Sequence, residues 1–250
     1  MKKLLLSGIL LALTASVALA GSFNLNYGSS CWSDGTPVAS KTFACNTNTG
    51  NFQFTASFIP LVAKTDWLGV TVILDGHTVT GVALPDWWQF FNTGACRSAN
   101  LSVSGDFTSS PGVGCVDPFS GLAAGGIAAY QTTLYPPPFP LNVPPPNRFR
   151  LKVGLGITTN ISIPGDGTEY YAVRGTINYL KTVGTGSCAG CLVPLTMILE
   201  EIGSTGEASG VEKITTPAAN QCLSWQVGGP SCLETPAVNS TWGQVKSLYR

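Results

Sequence analysis

The residues that could carry chemistry are few. The chain has one histidine, His77. Base-assisted nucleophiles depend on such a residue, but His77 directly follows Asp75-Gly76, a dipeptide that reads as a turn, so a solvated turn residue is expected there. No G-x-S-x-G elbow, H-E-x-x-H helix or P-loop occurs. The 13 carboxylates mostly neighbour Gly or Pro in turn-like contexts, and no spacing nominates a pair for glycoside hydrolysis. Asp166, Gly167, Thr168 and Glu169 could offer oxygen ligands to Ca²⁺, although turn chemistry explains the same residues. Cys188-Ala189-Gly190-Cys191 has C-x-x-C spacing without the βαβ context of a redox motif, so a structural bridge is the expected role. No cofactor and no metal site are expected. The sequence points away from an enzyme, with a carboxylate-dependent glycoside hydrolase as the catalytic alternative.

The densest chemical feature is aromatic: Pro85, Asp86, Trp87, Trp88, Gln89, Phe90 and Phe91. Its aromatics are too crowded for all to face one core, and Pro85 discourages a regular central strand. An exposed indole plane stacks on sugar rings, and Gln89 and Asn92 could read hydroxyl groups. Trp87, Trp88, Gln89 and Asn92 are therefore the candidate ligand-binding residues, with core packing as the competing role for the indoles.

These residues need a scaffold, and the N-terminus indicates where it works. Lys2 and Lys3, the uncharged apolar run over residues 4–17, and the small-x-small ending Ala18-Leu19-Ala20 form a signal peptide over residues 1–20, leaving Gly21 as the new N-terminus. The apolar run is short for a membrane span, so no membrane insertion is expected after cleavage. The mature chain is then secreted or displayed at the cell surface, with the periplasm as an alternative. It carries 11 basic and 13 acidic side chains, a formal charge of −2. That balance gives no basic footprint for nucleic acid. Charged residues make up only 10% of the chain, so solubility falls to Ser, Thr, Asn and Gln.

All eight cysteines lie in the mature part, an even number in an oxidising compartment. Nearest-neighbour spacing predicts Cys31–Cys45, Cys96–Cys115, Cys188–Cys191 and Cys222–Cys232, each closing a short loop.

Period-two alternation recurs along the chain. Phe52, Phe54, Ala56 and Phe58 alternate with Gln53, Thr55 and Ser57. Leu68, Val70, Val72 and Leu74 repeat the pattern, and Leu101 and Val103 begin a short strand. Phe149, Leu151, Val153, Leu155 and Ile157 oppose Arg148, Arg150 and Lys152. Tyr171, Val173, Ile177 and Tyr179 follow the turn at residues 164–167. Residues 192–202 fit a helical stripe or a strand, and the surroundings favour a strand. Roughly nine or ten short strands predict an all-β chain: one β-sandwich, jelly-roll-like, over residues 21–250, with a short C-terminal helix or turn. Seven prolines within residues 135–147 make a stiff, extended loop.

Cys188-Ala189-Gly190-Cys191 with Pro194, the strand through Glu169, Tyr170 and Tyr171, and the ending Thr241-Trp242-Gly243 to Leu248-Tyr249-Arg250 together resemble an uncharacterised group of secreted bacterial β-rich proteins. The likeness covers mainly residues 148–250. It implies export and a β fold, and brings no activity. The sequence thus predicts a non-catalytic extracellular module that binds a glycan or another surface protein, or else a structural or assembly subunit of the cell surface.

Overall fold

The structure, a computed structural model, describes residues 21–79, 81–91, 95–110, 113–131 and 147–226. The signal peptide, most of the Pro-rich loop, Asn92, Cys232 and the C-terminal segment lie outside the described residues.

Twelve strands are found among the described residues: β1 (Ser22–Tyr27), β2 (Ser40–Lys41), β3 (Asn51–Ile59), β4 (Lys64–His77), β5 (Leu101–Ser104), β6 (Cys115–Val116), β7 (Ala124–Gln131), β8 (Arg148–Ile163), β9 (Glu169–Asn178), β10 (Leu195–Gly206), β11 (Gly210–Ile214) and β12 (Cys222–Trp225). They form two sheets. The first runs β1-β3-β9-β5, with β6 beside β9; the second runs β2-β12-β10-β4-β8-β7, with β11 on β10. The β2–β12 and β6–β9 pairs are parallel and the others antiparallel. The protein is an all-β sandwich.

The alternation in the sequence explains the packing. Phe52, Phe54, Ala56 and Phe58 of β3 turn inward with Val173 and Ile177 of β9. Val70, Val72 and Leu74 of β4 meet Leu155, Val153 and Leu151 of β8 in direct register. Burying each such side chain contributes about 1.5–3 kcal/mol. Residues 195–202 of the ambiguous 192–202 segment form strand, with β10 pairing to β4, β11 and β12.

One predicted turn is corrected. Asp75-Gly76 continues β4 instead of ending it. The Phe149 ring occupies the space a Cβ at Gly76 would fill, with a ring carbon 2.1 Å from that position. Glycine is here for close packing. Asp75 receives a bidentate hydrogen bond from Arg150, both contacts at 2.7 Å. His77 is therefore no solvated turn residue: it is 4% exposed and sits in register with Arg148 and Thr196 on the flanking strands.

The outer face of the first sheet is also buried, under two loops. Asn26 accepts from Val38 N–H (2.7 Å) and donates to Ser30 O (3.1 Å), holding the loop after β1 across the sheet. Phe107, from the second loop, stacks on Tyr171 at 4.4 Å between centroids.

Disulfides staple these layers, and the nearest-neighbour pairing is corrected in three places. The bridges are Cys31–Cys115, Cys45–Cys191 and Cys96–Cys188, spanning 84, 146 and 92 residues. Cys31 lies in the loop after β1 that covers the first sheet, and Cys115 opens β6 at the end of the second loop. Cys45 and Cys191 lie at the end of the sandwich beside Trp225, whose Nε1 donates to Cys191 O at 2.7 Å. Short loop spacing misleads here because each loop docks on a distant strand instead of closing on itself. Cys222 is disulfide-bonded as well.

Candidate binding cleft

The aromatic cluster predicted to stack on a ligand is core. Trp87 and Trp88 are both fully buried. Pro85 caps a 3-10 turn over Asp86–Trp88, in which successive side chains point about 120° apart. That rotation sends the two indoles to different inner neighbours. Trp87 packs on Trp225 (4.9 Å), and its Nε1 donates to Thr182 Oγ1 at 3.1 Å. Trp88 meets Trp225 (5.3 Å) and stacks over Phe149 (6.3 Å). Arg97 seals the cluster. Its guanidinium lies 3.6 Å from the Trp87 ring centroid and donates to the carbonyls of Trp87, Leu180 and Asn178. Burial pushes this guanidinium down to about 9, and the ring face and carbonyls offset the lost hydration. Gln89 is turned back onto Leu84 O at 3.0 Å. Trp87, Trp88 and Gln89 offer no stacking face to a ligand.

A second set of aromatics, themselves buried, backs a cleft. This cleft of about 480 Å³ lies at the end of the sandwich where β1 runs out, lined by Tyr27, Phe43, Phe52 and Tyr179 with Ser29, Lys41, Thr42, Asn51 and Gln53 around them. Its volume falls in the range of small-molecule sites, roughly 300–1,000 Å³. The walls are fixed from several directions. Tyr27 N–H donates to Val38 O, Gly28 N–H to Gln53 O, and Tyr179 N–H to Gly50 O. Gly28 adopts φ 105°, the left-handed turn that lets the chain leave β1. Phe43 stacks on Trp225 at 4.0 Å and contacts Phe52 at 4.6 Å. Gln226 clamps it from both sides, accepting from Phe43 N–H (3.1 Å) and donating to Phe43 O (3.0 Å). The Cys45–Cys191 bridge pins the chain two residues on. The cleft is preformed, which lowers the ordering entropy of binding.

Its polar groups are less satisfied than its walls. The Tyr27 hydroxyl is enclosed and has no hydrogen-bond partner among the described residues. Burial first, and the neighbouring Tyr179 phenol second, push it far above the ordinary tyrosine range, so it stays a neutral donor. Native proteins pair about nine in ten such groups. Lys41 projects from β2 with its ammonium 5.4 Å from the Phe43 ring centroid, and it makes no ion pair among the described residues.

Two of the more enclosed carboxylates, Glu169 and Asp34, lie elsewhere and are occupied. Glu169 accepts from Asn24 (2.9 Å), Ser57 and Ser33. Asp34 accepts from Tyr171 and from the backbone of Gly114 and Cys115. Burial would raise the Asp34 carboxyl, but these hydrogen bonds outweigh it and hold the group below its ordinary range. Both acids tie the covering loops to the first sheet. Cys31, Asp34 and Cys115 bring three potential metal-ligand atoms together, but the two sulfurs are bonded to each other. Asp166 caps its own turn by accepting from Thr168 N–H at 3.0 Å.

No family model and no curated protein matches the chain. Among solved structures it is similar to one from Corynebacterium diphtheriae described as a "Putative membrane anchored protein", at 10% identity and a TM-score of 0.30. The match covers 88% of this chain and 39% of that one, so this chain spans well under half of that protein's length. A likeness this distant carries no functional argument. No helix among the described residues is long and apolar enough to cross a membrane. The three disulfides fit an extracytoplasmic protein.

Proposed function

We propose that the protein is an exported, non-catalytic module that binds a glycan in the cleft around Tyr27 and Phe43. The preformed cleft, backed by aromatic rings and rimmed by hydroxyl and amide groups, carries this reading; the enclosed Tyr27 hydroxyl, unpaired among the described residues, would gain a partner if ligand entry turned its ring into the cleft. The surroundings suit a sugar. Phe43, Phe52 and Tyr179 offer apolar ring surface for the C–H face, while Thr42, Asn51, Gln53 and Ser29 offer hydroxyl and amide groups for the rim. The occupied carboxylates support a binding role over hydrolysis. Removal of residues 1–20 at Ala20–Gly21 and release or display outside the cytoplasm belong to the same proposal.

A glycan array probed with the mature chain, alongside Tyr27→Phe, tests it. Binding should fall about five- to tenfold in Tyr27→Phe. Wild type ignoring every glycan, or Tyr27→Phe binding like wild type, would count against the cleft.

The structural-subunit alternative draws on β7. This edge strand of the second sheet has the uncharged sequence AGGIAAYQ, and no backbone hydrogen bond joins its outer side among the described residues. Such an edge can pair with another chain. The left-handed Gly125 (φ 128°) and the bulge between Ile127 and Ala129 interrupt it, leaving little flat ladder for a partner.

A further inference from the structure

We infer that the ligand of this cleft is a carboxylated sugar, with its carboxylate received by Lys41; the inference rests on the glycan reading above and narrows it.

Lys41 is the one charged residue among those lining the cleft. Four of the protein's acids are committed elsewhere: Asp75 to Arg150, Glu201 to Lys213, Asp34 to Tyr171, and Glu169 to Asn24, Ser33 and Ser57. Among the described residues the cleft therefore presents a positive charge with no acid in its lining, so a cationic ligand would meet repulsion there.

The backbone of Lys41 is held in place although its side chain is exposed. Lys41 lies in register with Trp225 in the parallel β2–β12 pair, and its carbonyl accepts from Gln226 N–H at 2.9 Å. Gln226 itself takes a left-handed conformation (φ 55°) that lets one residue grip both Lys41 and Phe43. The ammonium base and the aromatic floor are thus fixed relative to each other.

The donors present suit an acceptor-rich ligand. Lys41 offers three N–H donors, and the neutral Tyr27 phenol, enclosed in the free protein, would add one more if its ring turned into the cleft. A carboxylate on a sugar ring supplies charge for the first while its ring hydroxyls accept from the second. Charge-assisted hydrogen bonds of this kind are roughly twice as strong as neutral ones, so the anionic group should dominate discrimination between otherwise similar sugars.

The test uses the mature chain and calorimetric titration with a panel of uronate oligosaccharides (galacturonate, glucuronate and mannuronate backbones), each paired with its methyl-esterified form, at low and high salt. Wild type should bind at least one acid form about tenfold more tightly than its ester, and the preference should shrink as salt rises. Lys41→Gln should abolish the preference and the salt dependence while melting as wild type does. Tyr27→Phe should weaken acid and ester alike. Equal affinity for acid and ester, or a preference that survives in Lys41→Gln, overturns the carboxylate assignment and leaves the glycan cleft standing. Absence of binding to every acid and ester together with every neutral glycan of the array removes both.

Discussion

Two aromatic assemblies stand back to back across one indole. On one side of Trp225 lie Trp87 (4.9 Å) and Trp88 (5.3 Å); on the other lie Phe43 (4.0 Å) and Phe52 (4.5 Å). The first assembly is closed. Arg97 covers Trp87, the indole N–H of Trp87 is paired, and the Cys96–Cys188 bridge ties the segment before Arg97 to the loop after β9. The second borders a cleft, with an enclosed phenol that has no hydrogen-bond partner and a rim ammonium that has no ion pair among the described residues. Aromatic density alone does not separate a core from a site. Pairing of the nearby polar groups does not separate them either, because the Trp88 indole N–H of the closed assembly has no partner among the described residues; what differs is that the second assembly borders a cleft.

The contrast can be broken by substitution. The largest effect should come from the closed side. Trp87→Ala removes a fully buried indole and leaves the Arg97 guanidinium without its ring face, and should destabilise the protein by about 3–5 kcal/mol. Thermal unfolding would show this as a drop of about 10 °C or more. If Trp87→Ala melts close to wild type, the closed assembly is not core.

Next in size is the bridge that braces the open side. Replacing Cys45 and Cys191 together by Ser releases a loop of 146 residues and should remove about 3–5 kcal/mol. It should also loosen the Phe43 wall, so ligand affinity should fall with stability. Retained affinity in the folded double variant would show that Gln226 alone holds that wall.

A smaller effect separates structural from catalytic carboxylates. The folded-state pKa of Asp34 is depressed, so its contribution is complete above its unfolded value and is lost as pH falls through the folded one. Asp34→Asn should therefore be about 1–2 kcal/mol less stable than wild type near neutral pH, with the gap closing below about pH 4. Chemical unfolding across pH measures it, and a gap that widens toward acid would contradict the assignment.

The smallest effect has the opposite sign. Tyr27→Phe deletes an unpaired buried hydroxyl and should raise stability by about 1 kcal/mol in the free protein while lowering ligand affinity. Lower stability in Tyr27→Phe would mean the hydroxyl is already satisfied.

Legibility followed the same physical line. Strands with one wet face, such as β3, β8 and β9, announce themselves by alternation. β1 does not, because all of its residues are buried: Asn24 and Asn26 look like loop residues but work under a covering loop as caps. β7 carries mostly Gly and Ala and shows no hydrophobic period. Asp75-Gly76 has the composition of a turn, and only the Phe149 ring above it explains why it is strand. The Trp87-Trp88 run was visible but belonged to the core. The cleft is assembled from residues 27–29, 41–44, 51–53 and 179, which no local pattern joins. The available hint was an aromatic flanked by hydrogen-bonding residues, as in Lys41-Thr42-Phe43 and Asn51-Phe52-Gln53.

The crossing of the disulfides has a consequence for how the protein comes to exist. A chain threaded N-terminus first into an oxidising compartment presents Cys31 and Cys45 together, long before Cys115 or Cys191 arrives. An oxidant that joins cysteines in order of emergence would pair those two, and neither belongs with the other. Cys96 and Cys115 would follow into the same error. Correct maturation then depends on exchange through mixed disulfides, a reaction that takes seconds to hours without help. A host that oxidises this chain as it emerges should need a disulfide isomerase to do it in quantity, and strains lacking one should accumulate oxidised but misbridged chain.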